Sequence, residues 1–244
     1  MTPTVRYAGP VRRVRFLARP NRYLARVAPQ DGGPPFDAHV PNPGRMEELL
    51  IAGVTDGWVA PADGPGRRTH FDLVSVYHGR TLVSVDSRVG NRMAKAALAA
   101  GLLPEFGPGP WRSEVRWGQS RLDFAAGGTP AAPAALLEVK CSNLKVGDAA
   151  LFPDAPTVRG TRHLRELTRA TRRGIRAGVL VTVQRNDTAR FRPNTALDPA
   201  FATAFRHARA AGVTVRAQRL TVLPDRLEWD REIPVEGTAR RTSL

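Results

Sequence analysis

A pair of charged residues inside an otherwise apolar strand constrains the fold more than any other feature of the sequence. Residues 135–141 read ALLEVKC, which favours a buried β-strand interrupted only by Glu138 and Lys140. Side chains alternate between the two faces of a strand, so Glu138 and Lys140 share one face while Leu137 and Val139 share the other. A sheet that buries this strand must therefore form a polar site around the two charged side chains.

A second carboxylate, Asp123, lies on the strand predicted over residues 121–125. Two carboxylates and an ammonium from neighbouring strands suit a hard divalent cation. We expect Asp123 and Glu138, with the Val139 carbonyl, to hold Mg²⁺ or Mn²⁺. Lys140 would orient the attacking water or stabilise developing phosphorane charge, as phosphodiester hydrolysis requires. The alternative is an exposed ion pair on a solvated sheet edge.

Three further polar residues have two interpretations each. Glu114, on the strand before Asp123, is either another metal ligand or an exposed partner for an arginine. Gln184, at the end of a later strand, either reaches the site or is an ordinary surface residue. His163, on a helix predicted over residues 157–173, is interpreted as packed or exposed rather than catalytic.

The charge balance indicates an acidic polymer as the partner. The chain has 244 residues with 37 Lys+Arg against 22 Asp+Glu, a formal net charge of +15. Nucleic acid is the leading partner class, and a generally arginine-rich composition is the alternative. Only three of the cations are lysines, Lys95, Lys140 and Lys145. Lysine at position 140 therefore suggests that a compact point charge is needed there.

Residues 1–85 are predicted to form a small domain of short strands separated by Gly/Pro-rich turns, an OB-like β-barrel. Phe16 is assigned to its core. Arginines alternating with aromatic residues suit contact with a nucleic-acid backbone without strong sequence specificity. The arginines assigned to that contact are Arg12, Arg13, Arg15, Arg19 and Arg22.

Residues 86–244 are predicted to form a mixed sheet flanked by helices, so the fold class is α+β or α/β. A helix, three strands, a helix and a strand occur in the order typical of restriction-endonuclease-like nucleases, the PD-(D/E)xK fold. The predicted elements are helices over 92–103, 157–173 and 199–211, and strands over 113–117, 121–125, 135–141, 179–184, 214–217 and 219–223.

The loop before the second predicted helix also has two interpretations. It is either a structural helix entry, capped by Asp154 or Thr157, or a phosphate site. In the second interpretation Arg159 and the helix N-terminus hold a phosphate near the metal.

Several motifs, spread in order over residues 10–223, resemble the sugar fermentation stimulation protein (SfsA) family. They are NPGRM at 42–46, DSRVGNR at 86–92, SEV at 113–115, SRLDF at 120–124, EVK at 138–140, FPDA at 152–155, and RG at 159–160 followed by HLREL at 163–167. The resemblance implies an N-terminal OB-like domain, a nuclease-like domain, DNA binding and a link to regulation of sugar-utilisation genes. Arg45, in the first motif, joins the candidate nucleic-acid contacts.

The leading hypothesis is a cytoplasmic DNA-binding protein with a nuclease-like metal site, and the alternative is a non-catalytic DNA-binding transcriptional regulator. An RNA- or ribosome-associated protein is a third, weaker interpretation. The single cysteine, Cys141, excludes an intramolecular disulfide and a cysteine-based zinc site. No secretory signal or membrane span is predicted. Oligomeric state is left open.

Overall fold

The N-terminal part of the chain forms a closed five-stranded barrel in the computed structural model, which describes residues 2–236. Seven strands precede the first helix: β1 (Thr4–Arg6), β2 (Arg12–Asn21), β3 (Leu24–Pro29), β4 (Phe36–His39), β5 (Asp56–Pro61), β6 (Phe71–His78) and β7 (Thr81–Ser84). Neighbouring barrel strands follow the order β4-β3-β2-β5-β6, and pairing of β4 with β6 closes the barrel. Strand β7 extends the sheet as a hairpin on β6.

Alternation along β2 builds the barrel interior. Val14 and Phe16 are buried, whereas Arg13 and Arg15 point to solvent on the opposite face. The core assignment of Phe16 is therefore confirmed, and it packs with apolar residues of β3, β5 and β6. The period-two pattern of the sequence was enough to predict this wall of the barrel.

The rest of the described chain forms a seven-stranded mixed sheet with helices on both faces, together with a small three-stranded sheet. Its elements are α1 (Arg88–Ala99), β8 (Trp111–Trp117), β9 (Ser120–Ala126), β10 (Ala135–Ser142), β11 (Leu144–Val146), β12 (Ala149–Phe152), α2 (Val158–Arg172), β13 (Arg176–Val183), β14 (Arg190–Pro193), α3 (Pro199–Ala210), β15 (Thr214–Val222) and β16 (Arg226–Ile233). The large sheet has the order β1-β16-β15-β13-β10-β9-β8, and the small one β11-β12-β14.

Parallel strands β10, β13 and β15 form the centre of the large sheet, and β10 and β13 are largely buried on both faces. Helix α1 covers one face, where Val89 and Met93 pack on Leu137 and Val139. Helices α2 and α3 cover the other face, where Leu164 packs in the same cluster as Leu136. The predicted fold class, an OB-like barrel joined to a mixed sheet flanked by helices, is confirmed.

Several element boundaries differ from the sequence-based expectation. Helix α1 spans Arg88–Ala99 rather than residues 92–103, because the Asp86 carboxylate accepts the Arg88 N–H and the chain turns at Gly101, where φ is +68°. The two short strands expected over 214–223 form one strand, β15, with an irregularity between Gln218 and Leu220.

The large sheet also contains a strand, β1, that the sequence pattern did not predict. Strand β1 pairs antiparallel with β16, so the first residues of the chain lie in the large sheet although the barrel strands follow them in sequence. Residues 237–244 belong to the predicted second domain and lie outside the described residues. Within residues 2–236, none of the helices is both long enough and apolar enough to cross a membrane.

Candidate metal and phosphate site

The two predicted carboxylates lie where strands β9 and β10 part. Pairing between these strands runs from Ala135 opposite Ala126 to Leu137 opposite Phe124, and Asp123 and Glu138 are the next residues along each strand. The Asp123 Oδ2 atom accepts the Val139 N–H at 2.7 Å, in place of a backbone partner. The carboxylates therefore meet at the point where the ladder opens.

Asp123 is held from both sides and is poorly solvated. Its Oδ1 atom accepts a hydrogen bond from Asn91 Nδ2 of α1 at 2.8 Å. Burial raises the pKa of Asp123, and the nearby Glu138 carboxylate raises it further, while Lys140 opposes the shift. Burial makes the ionised form of Asp123 costly. A cation bound beside it would stabilise that ionised form, and the two donors already hold the carboxylate in place.

Glu138 is 3% exposed and is surrounded by donors. Its Oε1 atom contacts Lys140 Nζ and His163 Nδ1, whereas Oε2 is buried without a hydrogen-bond partner among the described residues. Burial acts to raise the pKa of Glu138, but Lys140 and His163 outweigh it and hold the pKa below its usual range. Glu138 therefore stays ionised, with one oxygen free to accept a further ligand.

His163 belongs to the site, which the sequence analysis missed. It projects from α2, is buried, and receives the Arg159 Nε–H on its Nε2 atom at 3.4 Å. Because Nε2 accepts, Nδ1 carries the proton in the neutral ring and donates to Glu138. The available signal was its position: His163 lies on the same helical face as Leu164 and Leu167, which faces the sheet.

A cavity of about 450 Å³ opens above these side chains, between the barrel and the large sheet. Asp123, Glu138 and Lys140 form its floor, so the structure brings the three predicted residues together. Arg22 from the barrel and Arg159 from α2 line it, and both are exposed. A negatively charged floor inside a positively charged rim suits a phosphate bound through a cation.

The barrel loop at residues 42–45 rests directly on the loop that precedes α2. A Cβ atom on Gly44 would lie 1.9 Å from Asp154 Oδ2, so any other residue there would displace the Asp154 carboxylate. Burial raises the pKa of Asp154, while the charges of Arg19 and Arg45 oppose the shift. Glycine at position 44 therefore allows the barrel to close one wall of the cavity.

Thr157, rather than Asp154, caps helix α2. Its hydroxyl oxygen accepts the Gly160 N–H at 3.0 Å, and its own N–H donates to Asp198. Thr157 and Arg159 nevertheless line the cavity, so the capped first turn also faces the candidate site. The two interpretations of this loop are compatible.

The donor set fits a small oxygen-seeking cation. Within residues 2–236 no group of three or more His, Cys, Asp and Glu side chains forms a ready-made metal cage. Two carboxylates, one of them with an unpartnered buried oxygen, leave the remaining positions to water and substrate oxygens. Mg²⁺ is commonly bound in this way, with one or two carboxylates and the phosphate of the substrate.

Two predicted accessory residues lie elsewhere. Glu114 is exposed and forms an ion pair with Arg121 at 2.6 Å, the alternative that the sequence left open. Gln184 is fully buried and donates to the Asp86 carbonyl at 2.9 Å, which joins the barrel-to-sheet connection to the end of β13. Neither residue lines the cavity.

Most barrel arginines already have protein partners. Arg12 pairs with Asp31, and Arg13 and Arg15 share Asp56.

Arg19 donates to backbone carbonyls of Arg22, Asn42 and Arg45, and so holds the loop beside the cavity. Arg45 itself is exposed, without lining the cavity. Of the seven predicted nucleic-acid contacts, Arg22 and Arg159 are the two at the cavity.

Comparison with known proteins agrees with the resemblance seen in the sequence. Residues 88–226 match the sugar fermentation stimulation protein RE domain, and residues 17–85 match the SfsA N-terminal OB domain. The chain belongs to the sugar fermentation stimulation protein family. The predicted resemblance is thereby confirmed.

Relatives of the SfsA family match over most of their length. A sugar fermentation stimulation protein homolog of Moorella thermoacetica is 44% identical over 211 residues, which cover 86% of this chain and 89% of the relative. A homolog of Chloroflexus aggregans is 40% identical over 221 residues, 90% and 83% of the two chains. The solved structure of Pyrococcus furiosus SfsA in complex with Ca²⁺ is 28% identical, with a TM-score of 0.84 over 97% of this chain and 99% of that one.

Proposed function

We propose that this SfsA-family protein binds DNA in the cytoplasm and hydrolyses phosphodiester bonds with Mg²⁺ or Mn²⁺. The observation that carries the proposal is the convergence of Asp123, Glu138 and Lys140 at the opening between β9 and β10, beneath an arginine-lined cavity. Two carboxylates repel a phosphate unless a cation lies between them, so a surface used for binding alone gains nothing from them.

Each residue has a chemical task in this proposal. Asp123 and Glu138 would hold the cation, and Asn91 and His163 fix the orientation of the two carboxylates. When bound, the cation would neutralise phosphate charge and lower the pKa of a bound water. Lys140, whose ammonium contacts Glu138, would orient the attacking water or stabilise the charge that develops on the phosphate.

The basic rim supports DNA as the substrate. Arg22 from the barrel and Arg159 from α2 both line the cavity and would hold phosphates next to the scissile one. Neither residue belongs to a recognition helix, so we expect little sequence specificity, and RNA remains a candidate substrate. The Ca²⁺ complex of the Pyrococcus furiosus relative supports a hard-cation site, because Ca²⁺ and Mg²⁺ both take oxygen ligands.

The test is cleavage of labelled single-stranded, duplex and branched DNA with Mg²⁺, Mn²⁺ or EDTA. We compare the wild-type protein with Asp123→Asn, Glu138→Gln and Lys140→Met. Glu114→Gln is the matched control, because Glu114 is an exposed carboxylate outside the cavity. We expect cleavage only with metal, a loss of at least about 100-fold in the three site variants, and unchanged cleavage in the control.

The second candidate is a non-catalytic DNA-binding regulator, in line with the implied link to sugar-utilisation genes. It is favoured because residues 2–236 contain no cluster of three or more His, Cys, Asp and Glu side chains that could hold a metal. Cleavage of no substrate, together with salt-sensitive DNA binding that is equal in the wild type and all variants, would support the regulator. Binding with no preference for DNA over RNA would extend either proposal to RNA.

A further inference from the structure

The outer face of helix α2 carries a row of arginines that the candidate site does not use. We call it the α2 arginine face, and all five members are exposed. At 100° per residue these positions share one side of the helix, opposite Leu164 and Leu167, which pack on the sheet. The members are Arg162, Arg165, Arg169 and Arg172, with Arg173 directly after the last turn.

This face differs from strand β2 of the barrel in how its charges are balanced. On the barrel, Arg12, Arg13 and Arg15 all have carboxylate partners. On α2 only Arg169 has one, the buried Glu166, at 2.9 Å. Within residues 2–236 the other four guanidinium groups form no salt bridge, so the face carries a concentrated net positive charge.

The neighbouring surface extends this charge. The turn between β8 and β9 packs against Glu166, and a Cβ atom on Gly118 would lie 2.4 Å from its Oε2 atom. Arg116 lines the same shallow groove as Arg169 and Arg173. The one acidic side chain of the helix is thus covered and neutralised, and arginines surround it.

The spacing suits a nucleic-acid strand. From Arg162 to Arg173 the helix advances about 16 Å, at 1.5 Å per residue. One strand of a duplex carries a phosphate about every 3.4 Å along the axis, so about five phosphates fall within this length, although some turn away from the helix because the strand winds around the axis. The row of arginines is therefore long enough to contact several consecutive phosphates, and guanidinium groups are suited to paired hydrogen bonds with phosphate.

We propose that the α2 arginine face binds the phosphate backbone of duplex DNA outside the cavity, next to the strand held at Arg159. The inference rests on the DNA-binding part of the proposed function and does not depend on cleavage. An anionic membrane is a poorer partner, because the leucines of α2 are buried against the sheet and cannot insert into lipid.

The test is duplex affinity as a function of KCl concentration, measured in EDTA with the full chain and a short labelled duplex. The variant is the triple Arg162→Gln, Arg165→Gln, Arg172→Gln, in which glutamine keeps good helix propensity. The matched control is Arg68→Gln, Arg80→Gln, Arg206→Gln, which removes the same charge from three exposed arginines elsewhere.

We expect the slope of log K against log salt to fall by about 2 to 3 in the α2 variant, since each phosphate contact contributes about 0.9. The control should change the slope by less than 1. Equal losses in both variants would overturn the proposal in favour of non-specific net charge. An unchanged slope in the α2 variant, or a loss confined to binding of anionic phosphatidylserine vesicles, would also overturn it.

EDTA separates this inference from the nuclease proposal. If the α2 variant shows the expected loss of slope in EDTA but the wild type never cleaves DNA with Mg²⁺ or Mn²⁺, the arginine face stands and the nuclease proposal fails. If cleavage occurs as proposed and the α2 variant binds duplex as the wild type does, the nuclease proposal stands and the arginine face fails.

Discussion

Glu138 illustrates how neighbouring residues determine the chemistry of a side chain. A carboxylate so deeply buried would ordinarily favour its neutral form, because burial removes the water that stabilises its charge. Contacts with Lys140 and His163 reverse that preference and leave one oxygen unpartnered. Asp123, whose donors are neutral, keeps a raised pKa instead. Two carboxylates on adjacent strands thus have opposite shifts.

His163 should act as a positioning residue for Glu138. We expect His163→Leu to weaken Mn²⁺ binding about 10- to 100-fold, as is usual when a group behind a metal ligand is removed. His163→Asn, whose amide can replace the Nδ1 donor, should keep most of the affinity. Calorimetric titration with Mn²⁺ measures both. Equal losses in the two variants would indicate that His163 serves packing alone.

The raised pKa of Asp123 predicts a stability effect with a definite sign. An acid whose pKa is higher in the folded state contributes stability below its unfolded pKa, and this is lost as pH rises through the folded pKa. Without metal, Asp123→Asn should therefore be at least as stable as wild type at neutral pH, with the advantage fading in acid. Urea unfolding in EDTA over a pH series tests this.

Glu138→Gln is the counterpart, because the pKa of Glu138 is lowered. It should destabilise the protein at neutral pH, and the loss should shrink as pH falls below the usual glutamate range. If Asp123→Asn and Glu138→Gln showed the same pH dependence, the opposite environments inferred for the two carboxylates would be wrong.

At the level of elements, the site depends on how closely helix α1 approaches strand β10. Gly90 makes this approach possible, since a Cβ atom there would lie 2.3 Å from Cys141 Sγ and 2.8 Å from Thr182 Oγ1. Asn91, the next residue, then reaches Asp123. Burial raises the pKa of the Cys141 thiol to about 11, so Cys141 is a packing residue rather than a nucleophile.

Gly90→Ala should destabilise the protein by about 1–3 kcal/mol, although glycine to alanine in a helix normally stabilises it. Adding Cys141→Ala should recover part of the loss, because the thiol is the nearest obstacle. The four proteins of this double-mutant cycle are compared by urea unfolding. Additive effects would show that the helix and the strand do not meet at these two residues.

For the whole molecule, the connection between barrel and sheet centres on Arg185. This side chain is fully buried and donates to the Asn143 carbonyl and to His78 Nδ1 of the barrel, both at 2.9 Å. Its third partner is Asp187. Partial burial acts to raise the pKa of Asp187, but hydrogen bonds from Arg185 and Lys145 outweigh it and lower that pKa. The barrel and the part of the chain that contains the large sheet therefore share a polar contact as well as the cavity.

Arg185→Met should lower the free energy of unfolding by about 3–5 kcal/mol, because it leaves Asp187 and His78 without their buried partner. Arg80→Met, which removes the same charge from an exposed turn, is the control and should change stability by less than about 0.5 kcal/mol. Urea unfolding measures both. A loss as small as in the control would mean that the contact with the barrel contributes little.

The sequence by itself determined the local features of this protein. Alternating burial predicted the barrel strands, and the placement of Glu138 and Lys140 in an apolar strand predicted the candidate site, because both depend on the side-chain period of a single strand. The family resemblance, carried by several ordered motifs, was also contained in the sequence.

Only the tertiary structure decided which distant residues meet. Strand β1 joins β16, Gln184 and Glu114 lie away from the cavity, and His163 and Asn91 approach from two helices to orient the carboxylates. Local propensity carries no information about such contacts, because they arise from packing between elements far apart in the chain. The same packing decides which arginines have a carboxylate partner, as three of those on β2 do, and which are exposed to solvent, as those of the α2 arginine face are.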